Sequence, residues 1–143
     1  MAHESEGQLG EMEDDLRSIL AQDPDHAATL NALGYTLTNH TQRDEEAADL
    51  IERALALSPG DPAILDSLGW VYFKLGQYSE SEALLREAHN AFPDPEVAAH
   101  LGEVLWVQGR QFEARDVWRD GLNRVPDHPI ILETMKRLGA GLP

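Results

Sequence analysis

Leu30-Asn-Ala-Leu-Gly-Tyr-Thr-Leu37 is followed by Leu65-Asp-Ser-Leu-Gly-Trp-Val-Tyr72 and then by Ala98-Ala-His-Leu-Gly-Glu-Val-Leu105. Gly34, Gly69 and Gly102 hold the same place in each stretch. Pro24, Pro59, Pro93 and Pro126 recur with them, at a mean spacing of 34 residues. Leu30, Leu33 and Leu37 fall at i, i+3 and i+7, which is one face of a helix. Ala47, Leu50, Ile51, Ala54 and Leu55 form an equivalent stripe further on. The spacing predicts pairs of helices, an A and a B helix in each unit. The glycine allows the two to approach closely, and the proline ends the unit because it cannot continue a helix.

The units read Leu30, Leu33, Gly34, Leu37, Ala47, Ile51, Pro59; then Leu65, Leu68, Gly69, Tyr72, Ser81, Leu85, Pro93; then Ala98, Leu101, Gly102, Leu105, Ala114, Trp118, Pro126. This resembles the tetratricopeptide repeat, whose 34-residue unit follows Trp-x2-Leu-Gly-x2-Tyr, Ala-x3-Phe and Pro. The resemblance covers residues 8–138. It implies an all-α fold, an α-solenoid of tandem 34-residue helix–turn–helix repeats wound into a right-handed superhelix, with the A helices lining its concave face. The first unit has one extra residue in its A–B turn, and the second is one residue short before Pro95.

Full repeats are expected at 27–61, 62–94 and 95–128. Residues 8–24 carry Met12, Leu16, Ile19 and Leu20 and read as a half repeat, a lone B helix. Residues 129–138 read as a capping A helix whose Ile130, Ile131, Leu132 and Met135 cover the third pair, including Leu122 and Val125, because a terminal pair cannot bury its own apolar face. Residues 1–7 are expected to be a disordered or added start, and 139–143 a tail. The chain reads as part of a longer protein. Asp25, Asp61, Asp94 and Asp127 stand near helix starts, where a carboxylate accepts orphan amide protons.

The 143 residues carry 26 acidic and 11 basic side chains, a net charge of −15, and no cysteine. Such a balance argues against nucleic acid, whose phosphates call for Lys and Arg, and against anionic membrane surfaces. No run of the chain is apolar enough to insert in a membrane. The absence of cysteine excludes disulfides and thiolate metal sites. His3, His26, His40, His89, His100 and His128 form no ligand-spaced pair, so no metal and no cofactor are expected. No nucleophile or phosphate-loop motif occurs, so no catalytic residue and no enzyme activity are expected. His26 and His128 occupy corresponding turns, which points to a structural role.

A stacked array offers a long curved surface, and the expected function is a protein–protein scaffold or adaptor. Placing the repeat register on the concave face selects Asn31, Tyr35 and Asn39 from the first unit. It selects Asp66, Trp70, Phe73 and Lys74 from the second, and His100, Glu103 and Trp106 from the third. Aromatic side chains anchor many interfaces, so Trp70, Phe73 and Trp106 are expected to line one surface, with Asp66 and Glu103 beside them. The partner is then a peptide or protein with apolar and basic residues. Packing between A helices is the competing role for these aromatics, and Trp118 falls in a core slot. Some tetratricopeptide domains clamp a terminal carboxylate with Lys, Asn and Arg, but Asp66 and Glu103 at the matching slots would repel one. The alternative function is a homo-oligomerisation module.

Leu30-Asn-Ala-Leu-Gly-Tyr-Thr-Leu37 and Ala54-Leu-Ala-Leu-Ser-Pro-Gly-Asp-Pro-Ala-Ile-Leu-Asp-Ser-Leu-Gly-Trp-Val-Tyr72 are also similar to the C-terminal region of large proteobacterial tetratricopeptide lipoproteins, most clearly over 28–75. That resemblance implies a periplasm-facing piece of an outer-membrane adaptor for a C-terminal processing protease. Without it, a cytoplasmic location is the expectation.

Overall fold

The computed structural model describes residues 2–141, with side chains from residue 7 onward. The described residues hold eight helices and no strand: α1 (Ala2–Gln22), α2 (Ala27–His40), α3 (Asp44–Leu57), α4 (Pro62–Lys74), α5 (Tyr78–Ala91), α6 (Pro95–Val107), α7 (Gln111–Arg124) and α8 (Pro129–Arg137). Met1 and the tail residues Leu142 and Pro143 lie outside them. The helix already includes residues 2–7, which the sequence reading left out of the array. That stretch has no proline to interrupt a helix.

The A helices are α2, α4, α6 and α8; the B helices are α1, α3, α5 and α7. Helices α2, α4 and α6 each pack on the B helix that follows and also touch the next A helix, whereas successive B helices make no backbone contact with one another. The A helices therefore form the inner layer and the B helices the outer one.

The repeat residues set this spacing. A Cβ on Gly69 would meet Leu85 Cγ at 2.7 Å, one on Gly34 would overlap Ile51, and one on Gly102 would overlap the Trp118 indole. Ala47, Ser81 and Ala114 are fully buried on the facing B helices. The Ser81 hydroxyl donates to the Gly69 carbonyl at 2.6 Å, which satisfies an otherwise orphaned group. Leu30, Leu33, Leu37, Leu68, Leu85, Leu101 and Leu105 fill the core.

Helix ends follow local chemistry. Pro62, Pro95 and Pro129 start α4, α6 and α8, where a missing N–H costs nothing. Asp61 and Asp94 cap α4 and α6 by accepting from the amides of Ala63 and Glu96. At the other two starts the expected aspartate caps are replaced. His26 and His128 accept through Nδ1 from the amides of Thr29 and Ile130, while Asp127 adopts a positive φ of 57° in the turn. The structural role read for these two histidines is thus helix capping. Helices α4, α6 and α8 end alike on Gly76, Gly109 and Gly139, each with φ between 74° and 82°. In all three the next residue's amide reaches back to the carbonyl five residues earlier, Gln77 to Tyr72, Arg110 to Leu105 and Ala140 to Met135.

The terminal helix covers the third pair with Ile131, Met135 and Thr134, and Ala140 follows them into the core. Ile131 fills the space beside Gly121 and Ala98. Ile130 stays 38% exposed, and Val125 is 40% exposed with α8 in place, so the expected cover of Val125 is corrected: the cap lands on Gly121, one turn earlier.

Two squares of charge brace the outer edge. Glu13 and Arg17 of α1 pair with Arg43 and Glu46, at 2.6–2.9 Å. Glu82 and Arg86 of α5 pair with Arg110 and Glu113, at 2.6–3.1 Å. Hydrogen bonds from Arg43 and Arg17 hold the Glu13 and Glu46 carboxyls below their ordinary range, and those from Arg110 do so for Glu113. At Glu82 burial pushes upward, but Arg86, Gln108 and Arg110 together bring the group down.

Candidate interaction surface

The inner layer brings the A-helix side chains into two zones. The first is a packed stack. Trp70 of α4 is only 7% exposed. Its ring lies against His100 of α6, with centroids 4.1 Å apart and planes 18° apart, and against Phe73 at 5.1 Å. Its indole N–H donates to Asn39 Oδ1 of α2 at 3.1 Å, and the Lys74 ammonium sits 4.9 Å from the ring centre. Below it the His100 Nδ1 and Asp66 Oδ1 are 2.8 Å apart, both buried. Trp106, half-buried, leans on Trp118 with 5.8 Å between centroids and takes the Arg115 guanidinium on its ring at 5.3 Å. Arg137 of α8 forks onto Glu103 at 2.5 and 3.1 Å.

This arrangement gives Trp70 the packing role between A helices, the competing expectation, while Phe73 and Trp106 are half-buried. Trp70 is spent on joining α2, α4 and α6, and it offers almost no surface to a ligand. Glu103 is matched by Arg137, and Asp66 is held by the His100 ring. Trp70, one slot from the repeat stripe, reaches both neighbouring A helices because A helices touch each other.

The second zone is an open groove of about 610 Å³ toward the N-terminal ends of α2, α4 and α6. Asn31, Ala32 and Tyr35 line it from α2, and Asp61, Pro62, Ala63, Asp66 and Ser67 from the start of α4. Ala91, Phe92, Asp94, Glu96 and Val97 complete it. The Tyr35 hydroxyl donates to Glu96 Oε1 at 2.9 Å, and burial pushes that hydroxyl's pKa well above its ordinary value. Asn31 Oδ1 is buried with no hydrogen-bond partner. Phe92 is 61% exposed.

Of the ten residues selected from the sequence, Asn31, Tyr35 and Asp66 line this groove. Asn39, Trp70, Phe73, Lys74, His100, Glu103 and Trp106 do not. Phe92 was missed because it closes a B helix and belongs to no repeat slot. Its signal was a large aromatic just before Pro93, where the other units have Ser58 and Val125. No group of His, Cys, Asp and Glu that could hold a metal occurs among the described residues. No helix of the described residues is long and apolar enough to cross a membrane.

Two family models described as tetratricopeptide repeat match residues 7–62 and 42–104. The TPR repeat-containing protein PA4667 of Pseudomonas aeruginosa is 51% identical over 144 residues, an alignment that takes in all of this chain and 24% of that protein. The chain thus spans about a quarter of that relative's length. Among solved structures, a thermophilic TPR protein of Thermus thermophilus, TTC0263, superposes with a TM-score of 0.79 at 21% identity, over 95% of this chain and 74% of that one. The pilF protein of Pseudomonas aeruginosa gives 0.79 at 22% identity, over 96% and 63%.

Proposed function

Because the chain belongs to the tetratricopeptide-repeat family, we propose that it is a protein–protein interaction scaffold that holds an extended segment of its partner on the concave face. The observation that carries this is the groove of about 610 Å³ spanning three consecutive A helices. Pockets of this size hold a few side chains, and its walls mix apolar surface with carboxylates. The partner segment is accordingly apolar and basic. On the B-helix side, α1 and α3 border a smaller depression of about 280 Å³.

The adaptor role of an outer-membrane lipoprotein is the finer form of this proposal. Its support is the identity with a much longer bacterial repeat protein over the whole of this chain. A second reading, self-association, draws on an open depression of about 600 Å³ beside Leu132, Glu133 and Lys136 on α8.

Selection of a random peptide library against the immobilised chain tests the concave-face reading. Enriched peptides are expected to lose about tenfold or more in affinity for Tyr35→Ala combined with Phe92→Ala. They should bind Arg119→Ala combined with Arg124→Ala, on the outer layer, as they bind the parent chain. Equal binding to all three proteins rejects the reading. Sedimentation across concentration tests self-association, for which a monomer at every concentration is the negative outcome.

A further inference from the structure

We propose that the groove seats one lysine or arginine side chain of the partner segment, with Glu96 and Asp94 as its acceptors and Phe92 against the neighbouring apolar residue. This rests on the scaffold reading and narrows it from a face to a subsite.

Four carboxylates line the groove, from Asp61, Asp66, Asp94 and Glu96, and no lysine or arginine does. The contrast with the outer edge is sharp, since Glu13, Glu46, Glu82 and Glu113 each have an arginine. In the groove the partners are neutral and take one oxygen each. Asp61 Oδ1 accepts from the Ala63 amide at 3.0 Å, Asp94 Oδ1 from the Glu96 amide at 2.8 Å, and Glu96 Oε1 from the Tyr35 hydroxyl. A carboxylate has about four acceptor directions over two oxygens, so Asp94 and Glu96 keep acceptor capacity side by side at the start of α6. Asp66 is different, because it already holds His100.

An unpaired carboxylate beside apolar walls is a group that a cation stabilises, because low local polarity strengthens the attraction. Two further features fit a peptide rather than a free cation. Asn31 lines the groove, and a side-chain amide can pair with the backbone of an extended segment. Phe92 presents most of its ring to solvent at the groove's edge, which is costly unless an apolar group covers it. A second copy of this chain is a poor occupant. It carries a net charge of −15, and most of its arginines are engaged in ion pairs.

The test uses two blocked peptides, acetyl-Leu-Arg-Leu-amide and the same peptide with neutral citrulline for arginine, titrated into nitrogen-15-labelled protein and followed by amide shifts. The arginine peptide is expected to move the signals of Asn31, Tyr35, Asp66, Phe92 and Glu96, and to bind about tenfold or more tightly than the citrulline peptide. Glu96→Gln combined with Asp94→Asn should erase that difference. Asn at 94 keeps the helix cap and Gln at 96 still accepts from Tyr35, so the fold is retained. Equal binding of both peptides in the groove overturns the cation subsite while leaving the concave-face reading intact. Groove signals that stay still with both peptides at millimolar concentration also overturn it, and the library selection then decides the wider reading by itself.

Discussion

The Tyr35 hydroxyl on α2 donates to Glu96 on α6 at 2.9 Å, although α2 and α6 share no backbone contact. Helix α4 lies between them and touches both. One side-chain bond therefore ties the first repeat to the third along the inner layer, and it fixes how far the groove can open. A hydrogen bond to a charged group contributes about 1.5–3 kcal/mol when well sheltered. This one borders an open groove, so Tyr35→Phe is expected to cost about 1–2 kcal/mol, read as a lowered urea midpoint with an unchanged slope. An unshifted midpoint would mean that the bond does not persist in solution.

Trp70→Ala should unfold the array more readily, since the ring joins three A helices. Replacing a buried tryptophan with alanine costs about 3–5 kcal/mol. Trp70→Phe keeps a ring against His100 and loses the bond to Asn39 with part of the buried ring packing, so its loss should be markedly smaller. Phe112 is 88% exposed, and Phe112→Ala should leave stability within about 0.5 kcal/mol. Thermal melts of the three variants check the order. If Trp70→Ala melts with the parent chain, the ring is a surface group and the stack is misassigned.

Gly102→Ala puts a methyl into the Trp118 indole. Overpacking of this kind costs about 1–3 kcal/mol. Adding Trp118→Leu, which empties the space, should recover part of the loss, so the two substitutions should be non-additive. Strictly additive losses in chemical denaturation would show that the helices do not meet at this point.

Acid should weaken the array through its outer edge. The Glu13, Glu46, Glu82 and Glu113 carboxyls are held below the ordinary 4.5. A group depressed on folding contributes stability above its unfolded value, and that stability is lost as pH falls through the folded one. The melting temperature should therefore decline from about pH 5 downward. In Arg43→Gln with Arg110→Gln the decline should be shallower, because four of the eight pairs are already broken. Salt should narrow the gap between the two proteins at neutral pH, since the pairs are exposed. Parallel pH profiles would remove these squares from the account.

The fold was legible because its defining contacts are local in the repeat. Gly34, Gly69 and Gly102 and the small residues facing them recur at fixed spacing, and spacing alone pairs each A helix with its B helix. The surface was less legible because it depends on contacts between units. Whether Trp70 meets a ligand or His100 turns on how closely two A helices approach, and no spacing within one unit reports that. The His26 and His128 caps were missed in favour of Asp25 and Asp127 for a similar reason. Both residue types can accept an amide proton, and the turn geometry, with Asp127 at positive φ, decides between them.

The last helix carries the final prediction, through Arg137 and Glu103. Glu103 is 6% exposed, and Arg137 grips it with both terminal nitrogens. A bond to Glu103 raises the Arg137 guanidinium's pKa above its ordinary value, so Arg137 keeps its charge through neutral pH. Arg137→Gln leaves a buried carboxylate without its cation, which costs about 3–5 kcal/mol in a closed interior. Arg137 itself is largely exposed, so solvent reaches the site and about 1–3 kcal/mol is the expectation. Glu103→Gln in the same chain should restore most of it, because a neutral amide tolerates the site. Ile131→Ala removes the side chain that fills the space at Gly121 and Ala98, and should cost about 2–5 kcal/mol. If α8 is a true cap, both variants lower the melting temperature and the charge pair shows a coupling in the double-mutant cycle. A chain indifferent to Ile131→Ala and Arg137→Gln alike would instead have α8 resting loosely on the third repeat, with the array ending at Arg124.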